Sequence, residues 1–430
     1  MQKAELLAPA GNLEKLKIAL AYGADAVYGG TSTFSLRIRS GKEFNIASYA
    51  SGIEYAHSLG KKVYTTINSF PFNSQLKLYE NHIAKMAELK PDALIISSAG
   101  VVKMAREIAP QIPIHLSTQA NVMNVLDAQV YYDMGVERII VAREISLKDC
   151  EAIKKVIPDL ELEIFVHGSM CFAYSGRCLV SALQMGRVPN RGSCANDCRF
   201  PYDVYAHNPE TNTTFKLEEE SEVGTYIMNA KDMNLASHID DIIKSGVIDS
   251  LKIEGRTKSQ YYLSTVTKTY RKAINDSYAG IFDESKYQKE LATTQNRGFS
   301  DAYLVSKPYE KNNTQSLGFT IQDGTHQVAG IVSFDGLSWK CKDKSCLNDI
   351  VEIVLPVGAT IDEVDNEYGK IELIDEKYYL SLKKIISKTN KEFECIHSGD
   401  LNDIILPIKL PSYTVLRRGI EESKIKKEIK

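Results

Sequence analysis

Long apolar runs are missing from this chain. Nowhere does it carry the roughly 20 consecutive apolar residues of a membrane span. Its opening Met1-Gln2-Lys3-Ala4-Glu5 shows neither the apolar core nor the cleavage site of a secretory leader, so the cytoplasm is the expected compartment. An excess of one charge is missing too. With 52 Lys+Arg against 55 Asp+Glu the net charge is −3, which excludes a generally DNA-coating protein but leaves room for a local basic groove that takes RNA. The common hydrolase signatures are absent as well, with neither a G-x-S-x-G elbow nor an H-E-x-x-H pair in the 430 residues. What is present is the composition of an ordinary globular protein, 43% hydrophobic and 25% charged. That excludes disordered and collagen-like chains, and the length suits about two or three domains.

The first 260 residues alternate short apolar runs with helix-like segments. Leu6-Leu7-Ala8 precedes a stripe of Leu13, Leu16 and Leu20. Further runs lie at 24–28, 62–67, 92–96, 113–116, 138–141, 162–166 and 250–253, giving eight strand candidates. Such alternation predicts a mostly parallel sheet covered by helices. Eight units in about 250 residues favour a closed (β/α)8, TIM-like barrel over an open doubly wound sheet. Residues 1–282 are therefore read as the barrel, with a cysteine-rich insertion at 168–225; 259–277 reads as a helix. The polar stretch 283–316 reads as a linker, the short β-rich runs of 317–415 as a small β-barrel domain, and 416–430 as a charged tail.

In a barrel of this type the strands' C-terminal ends carry the chemistry. That position selects Tyr28, Asn68, Gln119, Arg143, Glu144, His167, Glu254 and Arg256.

Eight cysteines are present, and four of them fall within 28 positions: Cys171, Cys178, Cys194 and Cys198. The other four, Cys150, Cys341, Cys346 and Cys395, are scattered, and a reducing compartment argues against a disulfide framework. Four clustered thiolates suit either zinc or an iron–sulfur cluster. Only Cys194 and Cys198, three residues apart in the intervening count, have the close spacing of a zinc pair. The small residues Gly168, Ser169, Ser175, Gly176, Gly192 and Ser193 would let backbone amides approach sulfur. The plain alternative is four thiols of no special chemistry.

The segment Glu163-Ile164-Phe165-Val166-His167-Gly168-Ser169-Met170-Cys171, followed by Tyr174-Ser175-Gly176-Arg177-Cys178, resembles the signature of the collagenase-like peptidase family U thirty-two. Glu5–Asn12, Asp25–Tyr28, Phe34–Arg37, Val141–Glu144, Asn190–Cys194, Leu251–Arg256 and Asn296–Phe299 match it as well. The resemblance implies one of two activities. One is proteolysis of unassigned catalytic type. The other is oxygen-independent hydroxylation, of wobble uridine in tRNA, of a ribosomal cytidine, or of a ubiquinone precursor. The layout is most similar to the tRNA-directed members, which implies 5-hydroxylation with prephenate as cosubstrate and a 4Fe–4S cluster on four cysteines. Cys198 is the expected fourth ligand. A third option is an RNA-binding protein with structural zinc.

For hydroxylation, the single-stranded anticodon loop would offer its base to an aromatic platform, for which Tyr28, Phe172 and Tyr174 are candidates. Dicarboxylate binding needs guanidinium forks, for which Arg37, Arg143, Arg177, Arg191 and Arg256 are candidates. His167 and Glu254 are candidate acid/base groups, with Arg256 beside them; a core histidine and a barrel-closing salt bridge are the competing readings. For proteolysis, Cys171 with His167 is the available thiolate–imidazole pair. Arg417, Arg418, Lys424, Lys426, Lys427 and Lys430 could grip RNA, or simply belong to a solvated end.

Overall fold

Eight parallel strands close on themselves in the computed structural model, which describes residues 3–36, 44–217, 225–305, 314–316, 321–322, 324–399 and 403–420. They are β1 (Glu5–Pro9), β2 (Ala26–Gly29), β3 (Lys62–Ile67), β4 (Ala93–Ile96), β5 (Ile114–Leu116), β6 (Arg138–Ile140), β7 (Glu161–Ser169) and, after an insertion, β11 (Ser250–Ile253). Consecutive strands pair in order, and β11 pairs with both β7 and β1, which seals the barrel. All eight runs read from the sequence are these strands.

Helices cover the outside. They are α1 (Leu13–Ala21), α2 (Ile46–Ser58), α3 (Leu76–Glu88), α4 (Ala99–Ile108), α5 (Val125–Asp133), α6 (Leu147–Val156), α8 (Ile239–Ser245) and α9 (Gln260–Ala279). Several begin on a side-chain cap: Asn12, Asn45, Asn124, Ser146 and Ser259 each accept a backbone N–H of the first turn. No helix among the described residues is long and apolar enough to cross a membrane.

Between β7 and β11 the chain leaves the repeat. Helix α7 (Val180–Met185) and two short 3-10 turns interrupt the cysteine segment, with Cys198 in the second turn and the other three clustered cysteines in the loops around them. A hairpin of β8 (Val204–Asn208) and β9 (Thr213–Leu217) follows, almost wholly exposed. Strand β10 (Asp232–Asn234) then runs antiparallel to β7.

The stretch 283–316 is not an irregular linker. Its polar composition hides helix α10 (Glu284–Leu291), which buries Tyr287 and Leu291 in the barrel core, and strand β12 (Phe299–Ser300), which pairs with β10.

The C-terminal region is a separate antiparallel sheet curled over its own core. In order across it lie Val364–Asp365, Gly369–Ile374, Lys377–Leu382, Ile350–Val354, Val415–Gly419, His326–Val332, Ser338–Cys341 and Asp403–Ile405. The expected tail therefore starts too early, because 415–419 is a central strand. Arg417 is 1% exposed and held by Glu290 and Glu352, while Arg418 pairs with Asp343 and Asp349. Neither is free to grip RNA. Lys424, Lys426, Lys427 and Lys430 lie outside the described residues. Tyr22 of α1 donates from its hydroxyl to the carbonyls of Val354 and Tyr413, which ties the sheet to the barrel.

One cysteine pair departs from expectation. Cys346 and Cys395 sit directly opposite in a two-stranded antiparallel ladder and are disulfide-bonded. Antiparallel pairing places them side by side although 49 residues separate them in the chain.

Candidate functional site

A cavity of about 150 Å³ opens at the C-terminal ends of the barrel strands. Strand residues Tyr28, Thr66, Ile95, Ile140, Phe165 and Lys252 line it from the barrel, together with Asn68, Gln119, Arg143, Glu254 and Arg256 just beyond the strand ends. The insertion forms the opposite wall, contributing Cys171, Phe172, Tyr174, Cys178, Cys194, Cys198 and Arg199. All four clustered thiols therefore face one space.

Local backbone geometry brings the cysteine segment there. Gly176 has φ +78°, and a Cβ on it would stand 2.1 Å from the Gln119 carbonyl oxygen, so only glycine lets this loop lie against the barrel. Ser175 ties the same loop to Glu144, donating from its N–H at 3.0 Å and its hydroxyl at 3.3 Å. Burial pushes the Glu144 carboxyl up, with the Ser175 contact opposing.

Among the thiols, Cys171 is exposed and the other three are half-buried. The Asn196 N–H donates to Cys194 Sγ at 3.4 Å, an amide–sulfur approach of the kind the small residues allow. Burial raises Cys178 and Cys198, and the neighbouring cysteine charges raise them further, against the Val180 amide at Cys178 and Arg199 at Cys198. No three His, Cys, Asp or Glu side chains among the described residues close around a single ion.

Opposite the thiols stands a charged wall. Arg143 donates to Glu254 at 2.9 Å and lies 4.1 Å over the Phe165 ring. Arg256 Nη1 donates to Thr66 Oγ1 at 3.1 Å. Lys252, 3% exposed, donates to Glu163 at 2.7 Å and stands 4.3 Å over Tyr28. Burial lowers Lys252, with Glu163 opposing. Tyr28 gives its hydroxyl to the Ile253 carbonyl, so it forms cavity floor beneath an ammonium and not an open stacking face.

Sequence reasoning missed Lys252 of the cavity lining and its buried partner Glu163, and Arg199 with them. The signal was available for the first two: each is a charged residue alternating into the barrel side of an apolar strand, and buried charges demand partners. Arg199 joins a local crowd of cations. Burial lowers its guanidinium and Arg297 lowers it further, while Cys171 and Cys198 pull the other way.

Four predicted site residues are not brought to the cavity, Glu144 among them because Ser175 takes its carboxylate, and a fifth cannot be placed. His167 is turned away. The β7–β11 register shifts at Lys252/Ile253, a bulge that spends Val166 and points His167 toward α9. Its ring packs near Tyr262, Tyr270 and Phe299, and burial pushes it down to about 3. It is a neutral core histidine. Arg177 is exposed and does not line the cavity. Arg191 sits outside the wall, stacked on Phe72 and hydrogen-bonded to Gln75. Arg37 lies outside the described residues.

A closed (β/α)8 barrel with a thiol-lined, cation-rich cavity at its mouth defines a class of site-bearing barrel rather than a structural module. The chain belongs to Peptidase family U32, whose model matches residues 11–314. The "tRNA hydroxylation protein P" of Helicobacter pylori (strain ATCC 700392 / 26695) is 58% identical over 420 residues, spanning 98% of this chain and 100% of that protein. The protein of the same name from Escherichia coli (strain K12) is 38% identical over 413 residues, covering 86% and 91% of the two chains. The 23S rRNA 5-hydroxycytidine synthase of Escherichia coli (strain K12) is 32% identical over 274 residues, covering 63% of this chain and 39% of that one.

Proposed function

We propose that this protein is an RNA-modifying hydroxylase that converts wobble uridine of tRNA to 5-hydroxyuridine without molecular oxygen, using prephenate and a 4Fe–4S cluster. The observation that carries the reading is that four thiols and a set of buried cations share one cavity at a barrel mouth. Relatives named for hydroxylation of tRNA and of ribosomal RNA support it. The reading places the protein in the cytoplasm with its substrate.

Cys171, Cys178, Cys194 and Cys198 would hold the cluster: all four line the same cavity, and thiolate is the ligand such a core takes. When bound, the cluster would supply electron transfer or a Lewis-acidic iron. The protein's own groups do the rest. Arg143 orients the Glu254 carboxylate toward the cavity for proton transfer. Arg256 and Arg199 supply the positive charge that a dicarboxylate cosubstrate requires, while the charge of Lys252 is matched by Glu163. A base splayed from the anticodon loop can stack on Phe172 or Tyr174 at the entrance, both about half exposed. Peptide cleavage through Cys171 and His167 has no such support, because His167 faces α9 and stays outside the cavity.

Nucleoside mass spectrometry of tRNA from a strain lacking this protein, complemented with wild type or Cys171→Ser, tests the reading. Loss of 5-hydroxyuridine restored only by wild type is expected, and anaerobically purified protein is expected to carry stoichiometric iron and sulfide. Persistence of 5-hydroxyuridine in a strain without a redundant pathway would overturn the substrate; iron-free active protein would overturn the cluster.

A further inference from the structure

The rim of the cavity carries an aromatic–guanidinium pair that the chemistry inside does not use. Phe72 is 60% exposed, yet it is not loosely held. Arg191 lays its guanidinium over the ring at 4.1 Å from the centroid. Gln75 orders both partners: its side-chain oxygen accepts the Phe72 N–H at 3.2 Å and Arg191 Nη2 at 2.7 Å. The two segments are joined again where the Phe70 N–H donates to the Asn190 carbonyl at 3.1 Å. Asn190 itself lines the cavity. The pair thus stands one residue outside the cavity wall, fixed in orientation, with Phe72 exposed and Arg191 half-buried.

The sequence around Arg191 is basic, which suits a polyanion. From 177 to 199 it carries Arg177, Arg187, Arg191 and Arg199 against the buried Asp197, and the next acid, Asp203, is paired with Lys216. This local excess occurs in a chain whose net charge is −3.

We propose that Phe72 and Arg191 form a stacking platform for a nucleobase of the single-stranded RNA segment that flanks the base entering the cavity. The proposal rests on the RNA-hydroxylase reading above and adds a second contact point to it. Aromatic rings and guanidinium planes stack bases of any identity, and the arginine charge also neutralises a neighbouring phosphate. Holding the flanking base outside the wall favours the extruded arrangement in which its neighbour can reach the cavity.

The test uses the full-length protein and a synthetic anticodon stem–loop RNA, with affinity read by fluorescence anisotropy over a salt series. Phe72→Ala is expected to weaken binding roughly tenfold with little change in salt slope, and Phe72→Trp to restore it. Arg191→Gln is expected to weaken binding and reduce the salt slope by about one. An RNA with an abasic site at the flanking position is expected to bind wild type and Phe72→Ala equally. Wild type that binds the stem–loop while Phe72→Ala and Arg191→Gln bind equally well would overturn the platform and leave the hydroxylase reading standing. Wild type that binds no stem–loop would overturn both.

Discussion

Arg143 and Glu254 meet at 2.9 Å over the barrel mouth, bridging the ends of β6 and β11 across the strand β7 that separates them. The guanidinium rests on Phe165 of that middle strand, so its direction is fixed from below. With side chains 9% and 16% exposed, the pair is largely shielded from solvent. The arrangement aims a carboxylate into the cavity and leaves it little freedom to turn.

Glu254→Gln keeps the shape and removes the proton-accepting charge. It is expected to lower hydroxylation by roughly a hundredfold or more and, by leaving the shielded Arg143 without its carboxylate, to lower the melting temperature as well. Arg143→Lys is expected to lower activity as well, because a compact ammonium cannot both cover the Phe165 ring and reach the Glu254 carboxylate as the longer guanidinium does. Single-turnover assays beside thermal melts check both; full activity in Glu254→Gln would remove it from the chemistry.

His167 predicts a pH dependence of stability. Burial holds its folded-state pKa at about 3, below the ordinary value near 6.5. The unfolded chain therefore takes up a proton that the folded chain refuses. The stability this group contributes is whole above pH 6.5 and is lost as pH falls from there toward 3, by about 1.4 kcal/mol per pH unit. Melting curves from pH 7.5 to 5 should show a shallower acid loss in His167→Gln than in wild type. Equal slopes would contradict the neutral-core assignment.

Two glycines separate conformational strain from steric contact. Gly176 and Gly186 both lie in the left-handed region, at φ +78° and +63°. A Cβ on Gly176 meets Gln119 at 2.1 Å, whereas one on Gly186 meets nothing within 4 Å. Gly186→Ala should cost about 1–3 kcal/mol from backbone strain alone. Gly176→Ala should cost more and also displace Cys171 and Cys178, lowering the iron content expected of the proposed cluster after anaerobic purification. Retention of iron in Gly176→Ala would show that the loop tolerates the shift.

Arg417 is a structural cation. It is bonded bidentately to both Glu290 and Glu352, joining α10 to the C-terminal sheet. Arg417→Met takes the guanidinium from two carboxylates, of which Glu352 retains Lys377, and is expected to destabilise the protein by roughly 3–5 kcal/mol. The salt slope of stem–loop binding should not move. A reduced slope with an unchanged melting temperature would return Arg417 to the RNA-contacting role that its sequence position suggests.

Local periodicity by itself determined the eight barrel strands, the helices between them and the position of the cysteine segment after the seventh strand. Hydrophobic spacing records which face of an element is buried, and that information is written within a few neighbouring residues. Strand-end logic likewise located Tyr28, Arg143, Glu254 and Arg256. The tertiary structure alone decided which side chains meet. A one-residue bulge at Val166 reversed His167, since each step along a strand exchanges its faces. Folding of the insertion moved Arg191 out of the cavity and onto Phe72. Antiparallel pairing joined Cys346 to Cys395, and docking of the C-terminal sheet on α10 buried Arg417. Barrel closure drew Lys252 and Glu163, far apart in sequence, into one pair. Each of these depends on partners distant in the chain, and the order of residues encodes such partners only through the fold.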